Sequence, residues 1–435
     1  MNINSINWQH LPGENNIFRT VLPNGIIVLS KTNFNSPSVI LNGFLQGGSQ
    51  QDPDDKLGLA LFTSIALMRG TKFHKFKKIY NDLESVGSSF GFGASIQTTS
   101  FGGKSLIEDL PLLLRTLSES LLDPVFPLAQ FRKVKSNFIS GLQQRAQDTG
   151  EIASLRFDEI LFSNHPYGRP EDGYIKTVKN ITRSDVIDFH KKVYGPKGMV
   201  VVIVGAVEPN KVNEYVFDAL GKWENVDWKE PPEIPPCSPL TNSYEEFLPL
   251  EEKFQMDLIM GCHGPSRISE DYLPASLGNN ILGQFGMMGR IGNAVREKSG
   301  LAYYASTSLN AWLQGGSWEI SAGINPKNYQ KTIEIIKAEL TQFIEELVTD
   351  EELEDSKSSY IGSLPLSVES NSGVANAIIK MERYGLGLNY LQNFPEKIKN
   401  ISKEDIRKIA YKYINLDRMV TISSGPKMIE DETIS

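Results

Sequence analysis

The chain reads as an α+β protein of two duplicated domains of about 200 residues, each a mainly antiparallel sheet packed with helices, joined by a proline-rich linker. Three observations lead there. Residues 179–205 (KNITRSDVIDFHKKVYGPKGMVVVIVG) align without a gap on residues 399–425 (KNISKEDIRKIAYKYINLDRMVTISSG), with eight identities in 27 positions at an offset of 220. A second pair, residues 131–142 (FRKVKSNFISGL) and 353–364 (LEDSKSSYIGSL), matches at nearly the same offset. Between the halves, residues 228–244 (WKEPPEIPPCSPLTNSY) carry five prolines within Pro231–Pro239. Proline fixes φ and removes a backbone donor, so this stretch is expected to be an extended, semi-rigid linker. The domains are therefore placed at 1–228 and 245–435.

The elements follow in order. Residues 18–31 (FRTVLPNGIIVLSK) form a hairpin turning at Pro23-Asn24-Gly25, and residues 39–45 a further strand. Helices are expected over 58–68 and 76–85, then strands within 91–106. In the repeated segment, Thr182 and Ser402 are good N-caps, with Asp185 and Asp405 at the third position beyond them. A helix of about ten residues follows, broken in the first copy around Gly195-Pro196. The β-branched run Val200-Val201-Val202-Ile203-Val204 then reads as a buried strand. The second half repeats the order, with a strand at 256–262, a helix at 273–282 and strands at 303–313 and 316–323.

Composition narrows the function classes. The chain has 435 residues, 40% apolar and 22% charged, and a net charge of −8. These are the values of a globular protein with a large core, needing no disulfide or metal staple. Its acidity argues against nucleic acid as a partner, because neutralising phosphates takes clustered Lys and Arg. The densest basic run, Lys72–Lys78 (KFHKFKK), is expected to be a solvated face. Cys237 and Cys262 match no C-x-x-C pattern and are expected to be reduced thiols. No apolar run approaches the roughly 20 residues of a membrane span, and the N-terminus shows no presequence pattern, so the expected compartment is the cytoplasm.

Three segments carry a family resemblance: residues 47–71 (GGSQQDPDDKLGLALFTSIALMRGT), 164–173 (NHPYGRPEDG) and 295–306 (VREKSGLAYYAS). In this order and spacing they resemble the pitrilysin or insulinase-like zinc peptidases, most closely the short-chain branch that includes mitochondrial processing peptidase. The resemblance runs over roughly residues 18–425. In that family an H-x-x-E-H helix presents two His to zinc, one turn apart, and the Glu activates the metal-bound water. Here those positions read Leu61-Phe62-Thr63-Ser64-Ile65, so Leu61 and Ile65 replace the His and Ser64 replaces the Glu. The family's third ligand, a Glu about 76 residues further on, falls on Gly141. Alkyl groups offer no lone pair, and a serine hydroxyl is a poor base at neutral pH. Nor do the five histidines supply another site, since no two lie three to five residues apart. No metal and no cofactor are expected in this chain.

What the resemblance implies instead is a non-catalytic subunit. Arg296 and Tyr303, in Arg296-Glu297-Lys298-Ser299-Gly300-Leu301-Ala302-Tyr303, match an Arg and a Tyr that face the zinc helix across a chamber in the family. Guanidinium and phenol donors suit a substrate carbonyl oxygen. Read without the family, the same segment is a helix end, a Gly300 C-cap and a strand start whose tyrosine is core. The stretch LGQFGMMGRIG, residues 282–292, lacks the G-K-[ST] ending of a phosphate loop. It resembles the family's glycine-rich substrate contact, which would fall on Gly286, Met287, Met288 and Gly289; a flexible connection between helices reads equally well. The implied partner is a catalytic chain of similar length that carries H-x-x-E-H and zinc, and the implied substrates are peptides. A catalytically dead scaffold subunit is the alternative. No G-x-S-x-G, Cys/His, phosphate-loop or dinucleotide pattern points to another chemistry.

Overall fold

The computed structural model describes residues 8–286 and 289–427, and two compact units divide them. Unit 1 comprises residues 1–143, 169–233 and 363–394; unit 2 comprises 144–168, 234–362 and 395–435. Each unit thus takes a segment from the other half of the chain, and the continuous halves 1–228 and 245–435 do not coincide with the units. The reason lies in the helices described below, which each sheet needs in order to bury its second face.

Unit 1 is built on a six-stranded sheet of β1 (Phe18–Val21), β2 (Ile27–Thr32), β3 (Ser38–Gln46), β4 (Ser89–Ala94), β5 (Thr98–Leu106) and β6 (Val200–Gly205). The strand order is β1-β2-β6-β3-β5-β4, antiparallel except for the β2–β6 pair. All six residues of β6 are buried, because both faces of this central strand are covered. One face carries α1 (Leu59–Leu67), α2 (Phe76–Ser85), α3 (Leu110–Leu122), α4 (Leu128–Arg145), α7 (Arg183–Val193) and α8 (Pro209–Leu220), with α6 (Ile175–Asn180) alongside; α5 (Thr149–Leu161) lies in unit 2.

Unit 2 has a five-stranded sheet of β7 (Tyr244–Pro249), β8 (Met256–Gly264), β9 (Ala302–Ala311), β10 (Gly316–Ile324) and β11 (Val420–Gly425), ordered β7-β11-β8-β10-β9. Here β11 runs parallel to β7 and antiparallel to β8, as β6 does to β2 and β3. Its helices include α9 (Tyr272–Gly283), α10 (Gly289–Gly292), α11 (Tyr329–Glu345), most of α12 (Asp350–Ser367) and α15 (Lys403–Tyr413). Trp318 on β10 is buried against Phe343 of α11, and its indole N–H donates to Asn279 of α9 at 3.0 Å.

The second face of each sheet is covered by a helix from the opposite half of the sequence. On unit 1, α13 (Asn371–Arg383), followed by α14 (Tyr390–Lys399), seats Val374, Ala375, Ile378 and Met381 against Leu29, Ile40, Phe44, Val200, Val202 and Val204. On unit 2, α5 packs on β8 and β11 through Ala153, Phe157 and Leu161. Gly261 of β8 leaves room for Phe157, because a Cβ there would lie 2.9 Å from its ring. The two exchanged helices follow α4 and α12, the repeat-related helices in which the chain passes from one unit to the other.

The N-caps appear where the repeat places them: Thr182 with Asp185 and Ser402 with Asp405 each form a reciprocal capping box. Residues 228–243 contain no helix or strand. Within unit 2 the proline-rich segment is held by two imidazoles, His165 Nε2 at 2.8 Å from the Pro235 carbonyl and His263 Nε2 at 3.0 Å from that of Ser238.

Candidate substrate-binding site

The helix that would carry a metal motif is α1 of unit 1. It starts at Gly58, whose φ of +96° is left-handed and whose Cβ would meet the Asp172 carbonyl at 2.7 Å. Asp52, only 4% exposed, closes this end. Its carboxylate accepts from the Gly58 and Ala60 amides at 2.9 and 2.8 Å. Burial nevertheless pushes the Asp52 carboxyl up to about 7. Arg169 donates to the Asp52 backbone carbonyl, and Glu171 accepts from the Ile96 amide at 3.1 Å. The NHPYG-RPEDG stretch is therefore shared out. Its second part braces the entry to α1, while its first part, through His165, holds the proline-rich segment of unit 2.

Along α1, Leu61 and Ile65 lie one turn apart and are half-buried; Ser64, 1% exposed, donates its hydroxyl to the Leu61 carbonyl at 2.8 Å. Helix α4 packs on α1 through Phe62, whose ring lies 5.2 Å from that of Phe131 and 5.9 Å from that of Phe138. Gly141 follows one turn after Phe138, and a Cβ built there meets nothing within 4 Å. So the structure brings together the helices carrying Leu61, Ser64, Ile65 and Gly141, of which only Ser64 offers a lone pair, on a buried hydroxyl bonded to the Leu61 carbonyl. Among the described residues, no three His, Cys, Asp or Glu side chains are grouped to hold a metal ion.

The Arg/Tyr segment lies in unit 2. Arg296 sits in a π-helical turn, Asn293–Lys298, a rare local winding associated with functional positions. Its guanidinium is about one-third exposed and lies 3.5 Å from the carboxylate of Glu297. Ser299 caps the turn, and Gly300, left-handed at φ +63°, follows it with its amide bonded to the Arg296 carbonyl at 3.0 Å. Tyr303 then projects from β9, an edge strand, and is 69% exposed. The core-tyrosine reading of this position is thereby excluded.

Register explains the exposure. Tyr304 pairs with Gly323 and Ala302 with Ile324, so Tyr303 is the extra residue of a β-bulge. The next ring, Tyr304, turns inward and donates its hydroxyl to Asp257 at 2.8 Å. Asp257, 6% exposed, also accepts from Gln255 at 2.8 Å and from the Thr149 hydroxyl. Burial, followed by the bond to Asp257, raises the Tyr304 pKa. Sequence reasoning missed this network; the only local trace is Asp148 with Glu151 three residues on, which marks the start of α5.

In the glycine-rich stretch, Gly286 and Gly289 both have left-handed backbones, at φ +60° and +63°. Beyond it, Arg290 is fastened to Glu352 by two hydrogen bonds of 2.6 Å. Met287 and Met288 lie outside the described residues.

Comparison with known proteins bears on this arrangement. Residues 27–171 match the family model described as insulinase (peptidase family M16), and residues 180–360 match that of the peptidase M16 inactive domain. An uncharacterized zinc protease of Streptomyces coelicolor is 24% identical over 405 residues, covering 92% of this chain and 87% of that protein. The mitochondrial-processing peptidase subunit beta of Saccharomyces cerevisiae is 25% identical over 403 residues, covering 88% and 86%. A crystal structure titled peptidase M16 inactive domain, from Pseudomonas fluorescens, superposes with a TM-score of 0.87 at 26% identity, covering 95% of this chain and 99% of that one.

Proposed function

The chain belongs to the M16 peptidase family as a non-catalytic member, and from that premise we propose that it is the substrate-gripping subunit of a two-chain zinc endopeptidase. The metal would be carried by an H-x-x-E-H chain of similar length, and the substrates would be peptides. One contrast carries this reading. The four positions at which the resemblance puts metal ligands and base hold Leu61, Ser64, Ile65 and Gly141, while the donors Arg296 and Tyr303 both reach the surface of unit 2. Zinc does not fit those four side chains, so no step is routed through a metal in this chain. That one relative is, by its name, a subunit of a processing peptidase supports the two-chain reading.

Arg296 and Tyr303 would donate hydrogen bonds to a carbonyl oxygen of the bound peptide. Such donors orient the carbonyl and stabilise the charge that grows on its oxygen as water attacks. The test measures peptide cleavage and zinc content for this chain, for the H-x-x-E-H chain and for the two together. Cleavage confined to the mixture, with zinc confined to the partner, is expected. In the mixture, Arg296→Ala should lower kcat/KM by about tenfold to a hundredfold. Zinc and cleavage in this chain alone would overturn the reading, and no gain on mixing would leave the scaffold subunit as the better account.

A further inference from the structure

Resting on that reading, we propose that Tyr304 and Asp257 are positioning residues for Tyr303: their hydrogen bond holds the β9 bulge in the register that turns Tyr303 outward. Two adjacent tyrosines compete for one inward seat. Gly323 on β10 forms the floor of that seat, since a Cβ there would fall 2.4 Å from the Tyr304 ring and 2.5 Å from Gln255 Nε2. In the observed register the seat is filled by Tyr304, whose hydroxyl meets Asp257 at 2.8 Å. Without the bulge, the pairing of Ala302 with Ile324 would set Tyr303 opposite Gly323 instead. A shift of one residue exchanges the two faces of a strand, so the phenol needed outside would turn inward.

What decides between the registers is the carboxylate. Asp257 is fixed near the start of β8, between β10 and β11, by its strand pairings to Gly323 and Ser424. Gln255 and the first residue of α5, Thr149, donate to it from either side. The remaining donor it accepts is the Tyr304 hydroxyl. The helix contributed by the first half of the sequence therefore helps set an exposed side chain in the second.

The experiment uses the full chain and its mixture with the H-x-x-E-H partner. Nitration of Tyr303 by tetranitromethane, followed by peptide mass spectrometry, reads its exposure without reference to activity. Wild type should nitrate readily at Tyr303. Tyr304→Phe, which keeps the ring but removes the hydroxyl, should slow that nitration several-fold, as should Asp257→Asn, with melting temperatures within a few degrees of wild type. Gln255→Leu, which removes one of the donors that fix Asp257, should slow nitration by a smaller factor and stands in if either of these fails to fold. In the mixture, Tyr304→Phe should raise KM towards that of Tyr303→Phe, and the double variant should be no worse than Tyr303→Phe alone, because the two act as one unit. Unchanged nitration in the folded variants overturns the proposal. Slowed nitration with Tyr303→Phe cleaving normally would keep the positioning role and sink the substrate-binding reading.

Discussion

Asp52 shows how a single buried acid can govern an element it does not belong to. It receives the first amides of α1 from outside the helix, and burial lifts its carboxyl to about 7, far above the usual aspartate value. An acid whose proton is held more tightly in the folded chain contributes stability at low pH. It loses that contribution as pH rises from its unfolded pKa through its folded one. Relative to Asp52→Asn, wild type should therefore lose stability between about pH 4 and pH 7, by at most about 4 kcal/mol. Chemical denaturation of both proteins across that range measures it. A difference that does not vary with pH would mean that the helix amides and Arg169 keep the carboxylate ionised throughout.

Helices α1 and α4 pack together with no metal-ligating side chain at Leu61, Ile65 or Gly141. Phe62 clamps them together, Leu61 and Ile65 share one face, and Gly141 opens into unfilled space. If the frame is intact, only the side-chain chemistry is missing. Leu61→His, Ile65→His and Gly141→Glu made together should take up one zinc per chain, as metal analysis after dialysis would show. The variant lacking Gly141→Glu should bind at least about tenfold more weakly, having lost a ligand. Failure of the triple variant to retain zinc would mean that Leu61, Ile65 and Gly141 do not converge on a point a metal could occupy.

Helix exchange determines how the whole chain must be cut. The face of unit 1 beneath α13 exposes Leu29, Ile40, Phe44, Val200, Val202 and Val204 if residues 371–383 are removed. Burying each such side chain contributes about 1.5–3 kcal/mol. Residues 1–235 expressed alone should therefore aggregate or bind a hydrophobic dye, although they look like a complete domain in the sequence. Co-expressed with residues 236–435, they should reassemble into a stoichiometric complex on size-exclusion chromatography. A monomeric, cooperatively melting 1–235 fragment would show that α13 is dispensable to the first sheet.

The local elements were open to reading from the residues alone, because their causes are local. Thr182 and Ser402 cap helices three residues ahead of an acid, Gly25 permits the hairpin turn, and the β-branched run at 200–204 suits only a buried strand. The duplication was equally visible, since residue identity and spacing carry it. The exchange of α5 and α13 was not visible. An amphipathic helix advertises an apolar stripe but not which sheet will cover it, and that depends on where the preceding helix delivers the chain. Tyr303 and Tyr304 are likewise the same residue type side by side in the sequence. Only the strand register and a carboxylate 46 residues upstream of Tyr303 in the chain, Asp257, send one outward and the other into the fold.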